Sequence, residues 1–209
     1  MTRAQIWRVA CAVLLFGAQG WCADAASKGG IIKGTVTIAG KPTADVVVSV
    51  EGIPADIAKA QLPAVKSKKA VLDQRELKFV PYVLPVAVGT TVDFPNNDKS
   101  WHNAYSKSDV KKFDLGLYSP GKTRSVTFDK AGVARILCNV HPNMEAFVVV
   151  KEHPYFAAPD NRGNYRLDGV PLGKLRLAVW HPQLGTTEAS FEIVRDGEVV
   201  DINFDLKKK

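Results

Sequence analysis

The sequence predicts an all-β chain. Three observations carry this. Apolar and polar residues alternate with period two in many short runs, and such runs make half-buried strands. Clusters of Gly, Pro, Asn and Asp punctuate the runs, as turns require. One stretch, 54–69, lacks sustained alternation, and it reads as a linker with one short helix. The 209 residues are 46% hydrophobic and 23% charged. That is a globular composition, and it excludes a disordered chain. No apolar run reaches the length of about 18 residues that a membrane helix needs, which excludes a multi-span membrane protein.

The elements follow in order. Residues 1–25 read as a secretory signal: Arg3 and Arg8, an apolar core from Val9 to Ala18, then Ala23-Asp24-Ala25 before a cut. The cut lowers the net charge from +7 to +6 and removes Cys11 and Cys22. Cys138 is then the one cysteine left. A lone thiol is unusual in an oxidising compartment; a bound metal would both employ and protect it.

Ile32, Gly34, Val36 and Ile38 share one face of a first strand, and Gly40-Lys41-Pro42 turns. Val46, Val48 and Val50 mark a second strand. Strands resume at Leu77–Val80, Tyr82–Val88, Thr90–Phe94, Ser125–Phe128, Val133–Cys138 and Glu145–Lys151. The cluster Asp160-Asn161-Arg162-Gly163-Asn164 turns the chain into Tyr165–Leu167, Lys174–Trp180, Ala189–Val194 and Val199–Leu206. Many short strands with regular turns build a sandwich or barrel.

The segment that carries chemistry is Cys138-Asn139-Val140-His141-Pro142-Asn143-Met144. It sets a thiol, an imidazole and a thioether on one loop after a strand. Trp101-His102-Asn103 follows the loop Pro95–Ser100. One Cys, two His and one Met form the donor set of a mononuclear blue-copper site: sulfur suits Cu(I), and imidazole suits both oxidation states. Zinc sites favour four N/S donors without Met. A Cys–His nucleophile would need a third orienting group. His153 and His181, each followed by Pro, are isolated and read as structural or surface residues.

Residues 72–153 resemble the cupredoxin family of small blue copper proteins (amicyanin/plastocyanin-like), with the short ligand-loop spacing of amicyanin. The carriers are Phe94-Pro95-Asn96-Asn97-Asp98 leading to His102-Asn103, and the Cys138-x2-His141-x2-Met144 loop. The resemblance implies a Greek-key β-sandwich, one copper per chain, the ligands His102, Cys138, His141 and Met144, and an Asn103 that ties the two ligand loops. It implies an electron carrier rather than an enzyme, with redox proteins such as a cytochrome or dehydrogenase as partners. Copper storage or delivery is the alternative.

Residues 26–53 and 154–209 resemble two pieces of a carboxypeptidase regulatory-like (transthyretin-like) sandwich. The match is the first hairpin, Gly34 to Val48, with Gly163-Asn164-Tyr165-Arg166-Leu167 and Val170-Pro171-Leu172-Gly173. On this reading the copper domain is inserted into the second sandwich after a linker over 54–71. Lys99, Lys107, Lys111, Lys112, Lys122 and Arg124 give the insert a basic face that could steer an acidic partner. An exported β-protein without interleaved aromatic pairs is a poor candidate for nucleic acid. The expected location is the periplasm, with no membrane span after the cut.

Overall fold

A computed structural model describes residues 29–62 and 69–207. The signal over 1–25 and part of the linker lie outside the described residues. Nineteen strands and one short helix, Ala55–Gln61, make up the described chain. The helix starts after Pro54, whose fixed φ suits a helix start, and buries only Ala58. No helix among the described residues is long and apolar enough to cross a membrane.

The strands close two separate apolar cores. In the first, Gly30–Ile38 is central. It pairs antiparallel with Asn164–Val170 and parallel with Val199–Asp201 and Phe204–Leu206. A facing sheet runs Phe156–Ala157, Val47–Glu51, Gly173–His181, Gly185–Ile193, all antiparallel. Each sheet thus takes strands from both ends of the chain. Ile32, Val46, Leu177 and Ile193 fill the space between them. Gly163 holds the 160–164 turn at φ +78°, and a side chain there would strike the Val36 carbonyl, which leaves glycine as the residue that fits.

The second core lies between two other sheets. One runs Lys111–Asp114, Tyr105–Ser108, Gly132–Leu137, Glu145–Lys151, Val83–Ala87; the other runs Thr123–Phe128, Thr90–Pro95, Ala70–Val71. Leu72, Phe94, Phe128, Ile136 and Val148 pack between them. The architecture is all-β: two β-sandwiches side by side.

The two bodies meet through a small third cluster of Val47, Val83 and Val149, with Tyr82, Phe156 and Trp180 packed against it. Phe147 meets Trp180 edge-on at 5.7 Å. Lys151 Nζ lies 2.6 Å from Glu51, and Gln183 donates to the Tyr82 hydroxyl at 2.7 Å. This junction alters the period-two reading of the second strand. Val46, Val48 and Val50 face the first core as expected, but Val47 and Ser49 are buried too, because the second body covers the other face.

The other differences are local. The run predicted at Val199–Leu206 is two strands, broken where Asn203 Oδ1 accepts from the Thr35 backbone and hydroxyl at 2.8 Å. Tyr105–Ser108 and Lys111–Asp114 are strands that the alternation did not mark. Their outward positions are Tyr105 and the charged Lys107, Lys112 and Asp114, and their inward side includes the buried Ser106.

Candidate metal centre

The centre is built from the loops at one end of the second sandwich. Asn96, fully buried, shapes the first loop: its Nδ2 donates to Ser100 O at 2.9 Å and to Tyr118 O at 3.1 Å, and its Oδ1 accepts from the Asp98 amide at 3.1 Å. His102 leaves that loop and bonds both ways with Tyr118 along the backbone, at 3.2 and 2.9 Å. Its side chain is fully buried. The second loop starts at Cys138, directly after the strand Gly132–Leu137. It closes with the Met144 amide donating to His141 O at 2.9 Å.

Three donor atoms converge. His102 Nδ1, Cys138 Sγ and a His141 ring nitrogen lie within 4.8 Å of one another. His141 Nδ1 stands 3.0 Å from His102 Nδ1, and Cys138 Sγ stands 4.0 Å from it. Cys138 is 4% exposed and Met144 is fully buried in the same apolar cluster. Asn103 joins the loops as its position led us to expect: its Oδ1 accepts from the Asn139 amide at 2.7 Å, and its Nδ2 donates to Asp114 at 2.9 Å. The His153 and His181 side chains are elsewhere. Both are buried rather than on the surface, and both spend Nδ1 on backbone amides, of Tyr155 and of Gln183 and Leu184.

Sequence reasoning missed Asp98. Its Oδ2 lies 3.0 Å from His102 Nε2. The same carboxylate accepts from the Leu77 and Lys99 amides at 2.7 Å. The Leu77 amide first, then the His102 ring and the Lys99 amide, hold its carboxyl down at about 2. The signal was present in the spacing, four residues before His102. Behind His102, burial pushes the Tyr118 phenol up to about 12. Its hydroxyl donates to Phe94 O at 3.1 Å and receives the Gln74 amide.

These residues fit a metal, and copper in particular. An anionic Asp98 keeps the His102 proton on Nε2, which leaves Nδ1 as a lone pair facing a second imidazole nitrogen. Two imidazole nitrogens and one thiol, gathered in a buried pocket, are the donor chemistry that copper prefers.

Residues 65–151 match the family of copper binding proteins, plastocyanin/azurin family. No curated protein matches the chain. Among solved structures, the chain is similar to a copper-containing nitrite reductase from Thermus scotoductus SA-01, at 28% identity and TM-score 0.38, over 40% of this chain and 22% of that one. This chain therefore spans about a fifth of that enzyme. It is also similar to a purple cupredoxin from Nitrosopumilus maritimus, at 23% identity and TM-score 0.36, over 41% of this chain and 100% of that one. A reduced amicyanin variant matches at 24% identity and TM-score 0.38, over 50% of this chain and 98% of that one. Residues 65–151 thus match a copper-binding family, and the cofactor of this stretch is copper.

Proposed function

We propose that this protein carries single electrons between redox partners, as a periplasmic type 1 copper protein, and catalyses no reaction of its own. The observation that carries the reading is the buried convergence of His102, Cys138 and His141 from two loops joined through Asn103. In this reading His102, Cys138, His141 and Met144 would hold the ion. Bound copper supplies one-electron chemistry between its Cu(II) and Cu(I) states.

The chain's own residues do the rest. Asp98 fixes the His102 ring and its tautomer. Asn103 sets the spacing of the loops, so the donors stay in place when the charge changes. The apolar cluster around Cys138 and Met144 keeps water from the sulfur atoms. His141 is the half-buried member of the three, and it gives electrons a short way out. Exposed Trp101, Leu117 and Val140 are sequence neighbours of His102, Tyr118 and His141, and they offer a dry contact for a partner.

The signal reading and the lone mature Cys138 support export to the periplasm. The sandwich of residues 26–53 and 154–209, read as carboxypeptidase regulatory-like, is a scaffold that docks or orients the copper domain of 72–153. Rapid mixing tests the carrier role: the Cu(II) protein meets a reductant and then an oxidant, with free copper monitored by a Cu(I) chelator. Fast, repeatable cycling with the metal retained supports the carrier. Transfer of Cu(I) to the chelator in each cycle supports storage or delivery instead.

A further inference from the structure

The outer face of the five-stranded sheet in the second sandwich is only half covered. The first sandwich packs on its Glu145–Lys151 and Val83–Ala87 strands through Val149, Phe147 and Val83. Val133 of the Gly132–Leu137 strand packs at the edge of that contact, while the Arg135 end of this strand and the Tyr105–Ser108 and Lys111–Asp114 strands lie beyond it. On them the register sets cations abreast. Lys112 is directly opposite Lys107. Leu137 is opposite Tyr105, and continuing that antiparallel register by two residues sets Arg135 beside Lys107. The Arg135 amide bonded to Ser108 Oγ at 2.9 Å agrees with this placement.

Like charges directly opposite each other on neighbouring strands are destabilising. Three cations abreast, each exposed, are therefore a feature that folding alone disfavours. Local compensation exists but is partial. Lys112 pairs with Asp109 at 3.0 Å, Lys107 lies 5.9 Å from the Tyr105 ring centroid, and Arg135 pairs with Glu145. Of the basic residues that the sequence grouped on one face, Lys111 instead pairs with Asp129, and Arg124 covers the Tyr118 ring.

We infer that the Lys112–Lys107–Arg135 row, on the uncovered half of this sheet, is a docking surface for an acidic protein partner. The row is about 10 Å across, given the spacing of neighbouring strands. Asp109, Asp114 and Glu145 lie beside it and interrupt the positive charge. Such an alternation matches discrete carboxylates on a folded surface and repels the unbroken charge of a nucleic acid or an anionic bilayer. The neighbouring row on the same face is Tyr105 and Leu137, and Leu137 immediately precedes Cys138. A partner that covers both rows therefore reaches Leu137, one residue from Cys138. The inference rests on the carrier reading only for the partner being a redox protein; docking itself needs no copper.

The test is binding at low ionic strength of a plant-type ferredoxin, an acidic protein used as the probe, to the whole protein with and without copper. A DNA duplex and phosphatidylglycerol vesicles are measured in parallel. The variants are K107E/K112E on the row and K41E/K174E on the first sandwich. Both are compared with the parent by circular dichroism and by colour after copper loading. The inference expects salt-sensitive ferredoxin binding, copper or no copper, that weakens about tenfold or more in K107E/K112E and little in K41E/K174E. Three results overturn it: no ferredoxin binding, equal loss in both variants, or DNA or vesicles binding more tightly than ferredoxin through the same lysines. Loss of colour with docking intact would sink the carrier reading and leave this inference standing.

Discussion

The two sandwiches bury different things. Between the sheets of the first lie aliphatic and aromatic side chains such as Ile32, Leu177 and Ile193. The second has the same kind of apolar middle but ends in buried polar groups: Gln74, Asn96, His102, Asn103 and Cys138. Burying such groups is costly unless each is bonded. Asn96, His102 and Asn103 meet that condition through the loops they shape. Cys138 Sγ and the two facing Nδ1 atoms meet only one another, an arrangement that a bound metal would complete. The first sandwich is built for stability, while the second gives up part of its apolar end to a site.

The largest effects come from truncating each core. Leu177→Ala and Ile136→Ala remove fully buried side chains, and each should lower unfolding stability by about 2–5 kcal/mol. Only Ile136→Ala should also loosen copper, because Cys138 follows its strand. Urea melts and copper titrations check both. Equal copper loss in the two variants would show that the cores are not separate in this respect.

A second contrast is in pH. His153, at the junction, is held down at about 4 from its ordinary 6.5, chiefly by burial and then by Lys151, with Glu51 pulling the other way. Because the folded value is depressed for a base, the unfolded chain binds the proton first. The stability is present above about pH 6.5 and declines as pH falls toward 4, by about 3 kcal/mol. His153→Gln should flatten the melt-versus-pH curve in that window; an unchanged slope would assign the acid sensitivity elsewhere.

At the metal end, Asp98→Asn should weaken copper affinity about 10–100-fold, as loss of an outer carboxylate partner does. The secondary structure should not change. Competition with a chelator measures it, and unaltered affinity would mean that the ring needs no such anchor. The smallest stability effect belongs to Trp101→Ala. With 55% of Trp101 exposed, unfolding should move by no more than about 0.5 kcal/mol. Electron exchange with a protein partner should slow, while exchange with a small inorganic reductant should not. Equal slowing with both would place Trp101 in the site rather than at its rim.

The two regions also differ in how far the sequence reveals them. The convergence of His102, Cys138 and His141 was legible because a metal loop fixes donor types at fixed spacing, and the loop-joining Asn103 because it adjoins His102. Asp98 was overlooked although its spacing to His102 was visible, since its carboxylate is aimed by the loop that Asn96 shapes and by the amide of Leu77, in the turn between Asp73–Arg75 and Lys78–Val80. Most of the strands were legible from period two. Tyr105–Ser108 and Lys111–Asp114 were hidden by their charged outer row, the same row that we propose meets a partner. Val47 and Ser49 escaped because period two assumes one covered face, and here a second body covers the other.

The most direct measurement is the visible spectrum of the Cu(II)-loaded protein beside that of Cys138→Ser. The account predicts one copper per chain and an intense sulfur-to-copper charge-transfer band in the parent. The serine variant should lose it while remaining folded. A colourless parent, or a band that survives the substitution, would contradict the claim that Cys138 and the two histidines hold the ion.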